Sequence, residues 1–246
     1  MRNQGCVKHL WAASLCLIIF SLFVPEPACT EPWVDVPLVK GAIYDFKTAQ
    51  ISSTNVDRGL IKKLTGGAVK VSLAEKSARA IAKATLKGKA TYSARVGTRL
   101  RVKRMGGNVM HGKLRVTIYD IAYMGRMATL GASGGHALLR AELYGDQGNI
   151  YQQSTILDKT VFIAGTETPQ QANISKTFEF WVYYADKDID VSLFLQLKAG
   201  ITTVLDVVTG NSEVDFYNSG RGVSYGGVKV EVLEAVPVGS GPGRPK

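Results

Sequence analysis

The 246-residue chain has only three cysteines, and all of them, Cys6, Cys16 and Cys29, fall within the first thirty residues. Everything downstream lacks a thiol, which excludes an intramolecular disulfide there, a thiol nucleophile, a thiolate zinc site and an iron–sulfur cluster. Histidine is almost as scarce. Beyond residue 9 only His111 and His136 remain, too few for a transition-metal centre unless carboxylates complete it. Acid is missing from one long stretch. Between Lys62 and Arg115 fifteen Lys or Arg stand against Glu75 alone, whereas Val116 to Lys246 holds ten bases and fourteen acids. The net charge of +10 is therefore a local property of about a fifth of the chain. Such asymmetry points to an anionic partner or to an anionic segment of the same protein.

No apolar run is long enough to span a bilayer. The run Trp11 to Val24 is fourteen residues without charge and follows Arg2 and Lys8, an order that reads as a secretory signal peptide. Residues 1–29 are thus expected to be a signal, and the protein to be secreted or held at the cell surface. The segment EPACTEP offers small residues but no A-x-A cleavage pattern. Lipidation at Cys29 is the lesser reading, because Glu26 stands where a lipobox takes a small aliphatic residue. The remaining length suits one large domain. The expected organisation is an extended lead-in with a first strand over 30–68, a β-sandwich over 69–236, and a disordered Gly/Pro tail over 237–246.

The segment SLAEKSARAIAKATLKG opens with Ser72 and Glu75 at capping-box spacing and ends at Gly88, which predicts a short basic helix. Lys76, Arg79, Lys83 and Lys87 follow at spacings of 3, 4 and 4, which would place them on one helix side opposite Ala74, Ala78 and Ile81. After Gly88 the period changes to two. Ala90, Tyr92, Ala94, Val96, Leu100 and Val102 alternate with Arg95, Arg99, Arg101 and Lys103, so one face is apolar and the other basic. The run after Gly106-Gly107-Asn108 repeats this, with Leu114, Val116 and Ile118 alternating with Lys113 and Arg115. A hairpin keeping both apolar sets together would pair Lys103 with Lys113 and Arg101 with Arg115. Like charges opposed on a sheet are destabilising, so this face is expected to meet an anionic polymer or surface: a glycan, wall polymer, lipid head group or extracellular DNA. The alternative is a strand edge protected by Lys and Arg.

The distal half is a series of short alternating runs separated by GDQGN, DKD, TGNS and SGRG. Phe178, Phe180, Val182 and Tyr184 alternate with Glu179, Trp181 and Tyr183, and Val191, Leu193, Leu195 and Leu197 form a similar set. The fold expected is mainly β, an antiparallel jelly-roll-like sandwich carrying one short basic helix. Trp181 and Tyr183, with Tyr119, point outward in this reading and could form a platform for sugar rings. Asp186, Asp188 and Asp190 have the alternate spacing of a calcium loop, but Leu197 replaces the bidentate Glu. Gly131-Ala-Ser-Gly-Gly135 matches a nucleophile-elbow pattern, yet His136 directly follows it and a His111–Asp120–Ser133 order spans only 22 residues. A Gly-rich turn is the simpler reading. The expectation is a non-enzymatic surface, matrix, filament or adhesion protein without cofactor or small-molecule substrate, self-assembly being one further option. A module for acidic polysaccharide comes second and an extracellular hydrolase third.

Overall fold

The computed structural model describes residues 33–59, 65–85, 88–103, 109–131, 133–145, 151–183, 188–203 and 210–237. Among them every regular element is a strand. In chain order these begin with β1 (Val34–Pro37), β2 (Ile43–Phe46), β3 (Ile51–Arg58), β4 (Thr65–Ser72), β5 (Ser77–Thr85) and β6 (Gly88–Lys103). Next come β7 (Val109–Met124), β8 (Arg126–Leu130), β9 (Ser133–Gly145), β10 (Tyr151–Phe162) and β11 (Thr166–Glu167). The last are β12 (Gln170–Tyr183), β13 (Ile189–Thr203), β14 (Asn211–Phe216), β15 (Gly222–Ser224) and β16 (Gly227–Pro237).

Two sheets result. The smaller runs β1-β6-β13-β9-β10, with β3 also on β6; the larger runs β11-β8-β14-β5-β15-β7-β16-β2, with β12 on β7 and β4 on β5. All pairings are antiparallel except β1 with β6. Both sheets turn their alternating apolar residues onto one shared core, Tyr92, Val96, Leu100, Leu193 and Leu195 from the smaller sheet and Leu114, Val116, Phe178 and Val230 from the larger. Each large side chain so buried contributes about 1.5–3 kcal/mol. Tyr92 packs so closely on Gly67 of β4 that a Cβ there would lie 2.6 Å from the ring, which is why that strand carries no side chain at the contact.

The predicted helix is not there. Residues 72–85 instead give the end of β4, a turn over 73–76, and β5. Ser72 Oγ does accept the Glu75 N–H at 3.2 Å, as a helix cap would. Lys76 then takes φ 49°, and the chain reverses into a hairpin pairing Ser72 with Ser77. The even-numbered Ala78, Ala80, Ala82 and Ala84 are all buried. A spacing of four residues returns to the same side of a strand as readily as to the same side of a helix, so Arg79 and Lys83 share a face of β5. Lys76 sits in the turn, and Lys87 lies outside the described residues.

The predicted β6–β7 hairpin does not form either. One edge of β6 is taken by β13, the other by β3 along residues 90–97 and by β1 along 100–103. β7 lies in the larger sheet between β12 and the pair β15 and β16. Alternation identifies a strand's inner face but not its sheet. The segment before residue 69 also belongs to this framework, since β1 and β3 pair in the smaller sheet and β2 and β4 in the larger.

Candidate functional site

The strand arrangement separates the basic residues into two groups. Arg95, Arg99, Arg101 and Lys103 face outward from the smaller sheet, and Lys113 and Arg115 from the larger. No single six-cation face exists, and acids from distant strands stand beside most of the cations. Arg101 holds Asp190 at 2.9 Å, and Lys103 lies 3.6 Å from Asp35 and 3.2 Å from Asp188. Lys113 and Arg115 both reach Glu179, at 3.0 and 2.7 Å, and Arg115 also reaches Glu231 at 3.1 Å. Lys83 pairs with Glu213 at 3.2 Å, and Arg79 is 3.9 Å from Glu75. The guanidiniums of Arg99 and Arg101 lie 5.2 and 5.1 Å from the Trp33 ring. The acid-poor stretch of the sequence is thus matched across the sheets by the acid-richer remainder.

These contacts leave an electrostatic signature. The Asp190 hydrogen bond raises the Arg101 pKa, and those of Glu179 and Glu231 raise that of Arg115. In return Lys113, then Arg115, lower the pKa of Glu179, while Lys229, aided by Arg115, lowers that of Glu231. Both carboxylates therefore have folded pKa values below their unfolded ones. Their stabilisation is complete above the ordinary Glu pKa, about 4.3, and is lost as pH falls through the folded values. Thermal melts should show a midpoint that is level from about pH 7 down to about pH 5 and drops below about pH 4, with a shallower drop in a Glu179→Gln/Glu231→Gln variant. An identical acid limb in parent and variant would contradict the role given to these pairs.

Over the smaller sheet a compact network replaces the expected solvated cations. Glu142 is 3% exposed and lies 3.2 Å from Arg95 Nη2. With its amide turned to satisfy both neighbours, Gln196 bridges them, its oxygen accepting from Arg95 Nε at 2.7 Å and its nitrogen donating to Glu142 Oε1 at 3.0 Å. Tyr144 donates to Glu142 at 3.0 Å; burial, then this bond, push its phenol up to about 12. Such a satisfied charge network fixes the register of β6, β13 and β9.

The outer face of the larger sheet carries a different feature. Trp181 and Tyr183, consecutive outward residues of β12, are 36% and 52% exposed. Their ring centroids are 6.3 Å apart and their planes 21° from parallel. The register pairs Tyr183 with His111 of β7, and the imidazole lies 5.7 Å from Trp181 and 6.0 Å from Tyr183. The next rows along the sheet are Lys113 beside Trp181, then Glu179, Arg115 and Glu231. A three-ring aromatic patch thus borders a strip of charge-paired donors and acceptors. Tyr119 is not part of it. It donates to Asp45 at 2.6 Å, and burial followed by that bond pushes its phenol up to about 12. His111 was invisible as a patch member in the sequence, because only the β7–β12 register brings it to Tyr183.

The remaining candidates separate. Ser133 is buried, with Oγ within hydrogen-bond distance of the Leu130 and Asn211 carbonyls, at 3.1 and 3.3 Å. His136 instead contacts Asp158 at 2.8 Å, and His111 stands in the aromatic patch. Asp188 and Asp190 face Lys103 and Arg101, and Asp186 lies outside the described residues. Among the described residues no group of three or more His, Cys, Asp or Glu converges in a manner suited to a metal ion.

No protein-family profile and no curated protein matches the chain. Three solved structures show distant likeness. A carbohydrate-binding module, TmCBM61, in complex with β-1,4-galactotriose is 10% identical, covers 61% of this chain and 84% of its own, and gives a TM-score of 0.16. The enzymatically active domain of tailspike protein 4 from bacteriophage CBA120 is 9% identical over 72% of this chain and 19% of its own, with a TM-score of 0.24. The secreted serine protease VesC from Vibrio cholerae is 7% identical over 78% of this chain and 49% of its own, with a TM-score of 0.12. All three are too distant in sequence and shape to carry function across.

Proposed function

We propose that the two sheets form an exported, non-enzymatic β-sandwich that binds a saccharide chain on the outer face of the larger sheet, at Trp181, Tyr183 and His111. The observation that carries this is the exposed, near-parallel Trp181–Tyr183 pair with His111 beside it. Aromatic rings give a sugar a flat apolar surface for its C–H face together with polar tips for its hydroxyls. Lys113, Glu179, Arg115 and Glu231 hold one another in place, so they offer hydrogen bonds to hydroxyls with little side-chain entropy left to lose. The polyanion reading loses its premise, because most cations on both sheets already face acids. Affinity electrophoresis through a panel of neutral and acidic polysaccharides tests the proposal. At least one should retard the parent, and Trp181→Ala should abolish most of the retardation.

Export rests on the basic and apolar order of residues 1–29. Intact-mass analysis of protein recovered outside the expressing cell should show that segment removed. Recovery of soluble extracellular protein still beginning at Met1 would contradict export by a cleaved signal.

A further inference from the structure

A second site stands at the opposite end of β7 and β12, where β15 bridges the two halves of the larger sheet. Val223 of this three-residue strand pairs with Ala78 of β5 on one side and Tyr123 of β7 on the other. The join leaves a cleft of about 540 Å³ on the sheet surface. Its lining includes small residues, Ser77, Ala122, Gly222 and Ser224; Arg79 and Arg221 stand at it from one side and Gln170 and Gln171 from the other.

The arginines are built into place. Arg221 Nη1 donates to Asp215, which is 1% exposed and also accepts from the Tyr217 and Asn218 N–H groups at 2.8 and 3.0 Å. That anchor fixes a loop in which Ser219, Gly220 and Gly222 all have positive φ. The Arg79 stem crosses Gly222 so closely that a Cβ there would meet Arg79 Cγ at 2.9 Å. Gly222, at φ 142°, therefore satisfies both the backbone conformation and the close passage of the side chain. Directly opposite Arg79 on β4 is Lys70, for which no ion-pair partner is found among the described residues. The like-charge opposition expected at Lys103 and Lys113 occurs here instead, relieved only by Glu75 at 3.9 Å from Arg79.

We infer that this cleft binds a sugar acid, its carboxylate on the Arg79 and Arg221 guanidiniums and its hydroxyls on Gln170 and Ser224. A planar carboxylate matches the fork of a guanidinium, and Arg221 keeps donors beyond the one given to Asp215. Gln170 pairs with Met124 and so lies on the same outer face as Arg79, whereas Gln171 turns to the other face, where its Oε1 accepts from Tyr123 at 3.4 Å. The cleft has room for about one or two pyranose rings, and its walls combine apolar surface from Ala122 and Met124 with the polar groups of the arginines, Gln170 and Ser224, a mix that suits the C–H faces and hydroxyls of a sugar. The site shares no residue with the Trp181 patch.

The experiment is a titration of the full protein, followed by ¹H–¹⁵N spectra, with sodium D-glucuronate, D-glucose and inorganic phosphate in separate arms. Glucuronate should shift resonances of residues 220–224 and bind at least about tenfold more tightly than glucose, a difference of 1.4 kcal/mol. Arg79→Gln and, separately, Ala122→Leu, which fills the floor without touching a cation, should each weaken glucuronate at least about tenfold. Trp181→Ala should leave glucuronate affinity unchanged, so failure of the aromatic site and failure of this one are distinguishable. Equal binding of glucose and glucuronate, phosphate binding more tightly than glucuronate, or undiminished binding by a folded Ala122→Leu variant would each overturn the assignment.

Discussion

Asp215→Ala should cost about 3–5 kcal/mol of folding stability, the scale for removing one partner of a buried ion pair. The carboxylate is 1% exposed and stands among Arg221, the Asn218 side-chain amide and the N–H groups of Tyr217 and Asn218. Burial alone would push its pKa up. The hydrogen bonds, led by those from the Asn218 and Tyr217 backbone, outweigh that and hold it below the usual Asp value. Removing the carboxylate leaves a guanidinium, two backbone N–H groups and a side-chain amide without their acceptor, beside a loop with three positive-φ residues. Against a total stability of about 5–15 kcal/mol for an ordinary domain, that loss is large. Asp158→Ala, which breaks the exposed His136 contact, should shift stability by about 0.5 kcal/mol or less. Urea unfolding of parent and both variants decides the matter. A loss under about 1 kcal/mol for Asp215→Ala would show that the loop does not depend on this anchor.

Trp181→Ala should weaken saccharide binding by about tenfold or more, since a stacked aromatic contact is worth about 0.5–1.5 kcal/mol beyond the area it buries. The effect is expected without loss of fold. Trp181 is 36% exposed on the outer face, while its neighbours Phe180 and Val182 carry the core packing of β12. Tyr183→Ala and His111→Ala should each act in the same direction by a smaller amount. Together the three residues form one contiguous patch, so their losses are expected to be non-additive.

Features that depend on one strand were legible in the sequence. Val191, Leu193, Leu195 and Leu197 are all buried, as the alternation of β13 indicates, and Trp181 and Tyr183 do face outward. Features that depend on which strands become neighbours were not. Arg101 and Asp190 are 89 residues apart, and Arg115 lies 64 and 116 residues from its two acids. The basic run therefore reads as uncompensated until β13, β12 and β16 are placed beside it. Ser72 and Glu75 form the local contact expected of a helix cap, but that contact serves a turn as well. The buried row Ala78, Ala80, Ala82 and Ala84 decides for the strand. The Arg79–Arg221 cleft draws on β5, β7, β12 and β15, so no local pattern announces it.

The most direct measurement follows the indole N–H resonances of Trp33 and Trp181 while an oligosaccharide, chosen from whichever polysaccharide retards the protein, is titrated in. Trp33 lies in the smaller sheet's region under Arg99 and Arg101, Trp181 in the aromatic patch of the larger sheet. Binding at that patch predicts a saturable shift of the Trp181 resonance with the Trp33 resonance unmoved. A saturable shift of Trp33 alone, or saturation of binding with both indoles unchanged, would contradict the account.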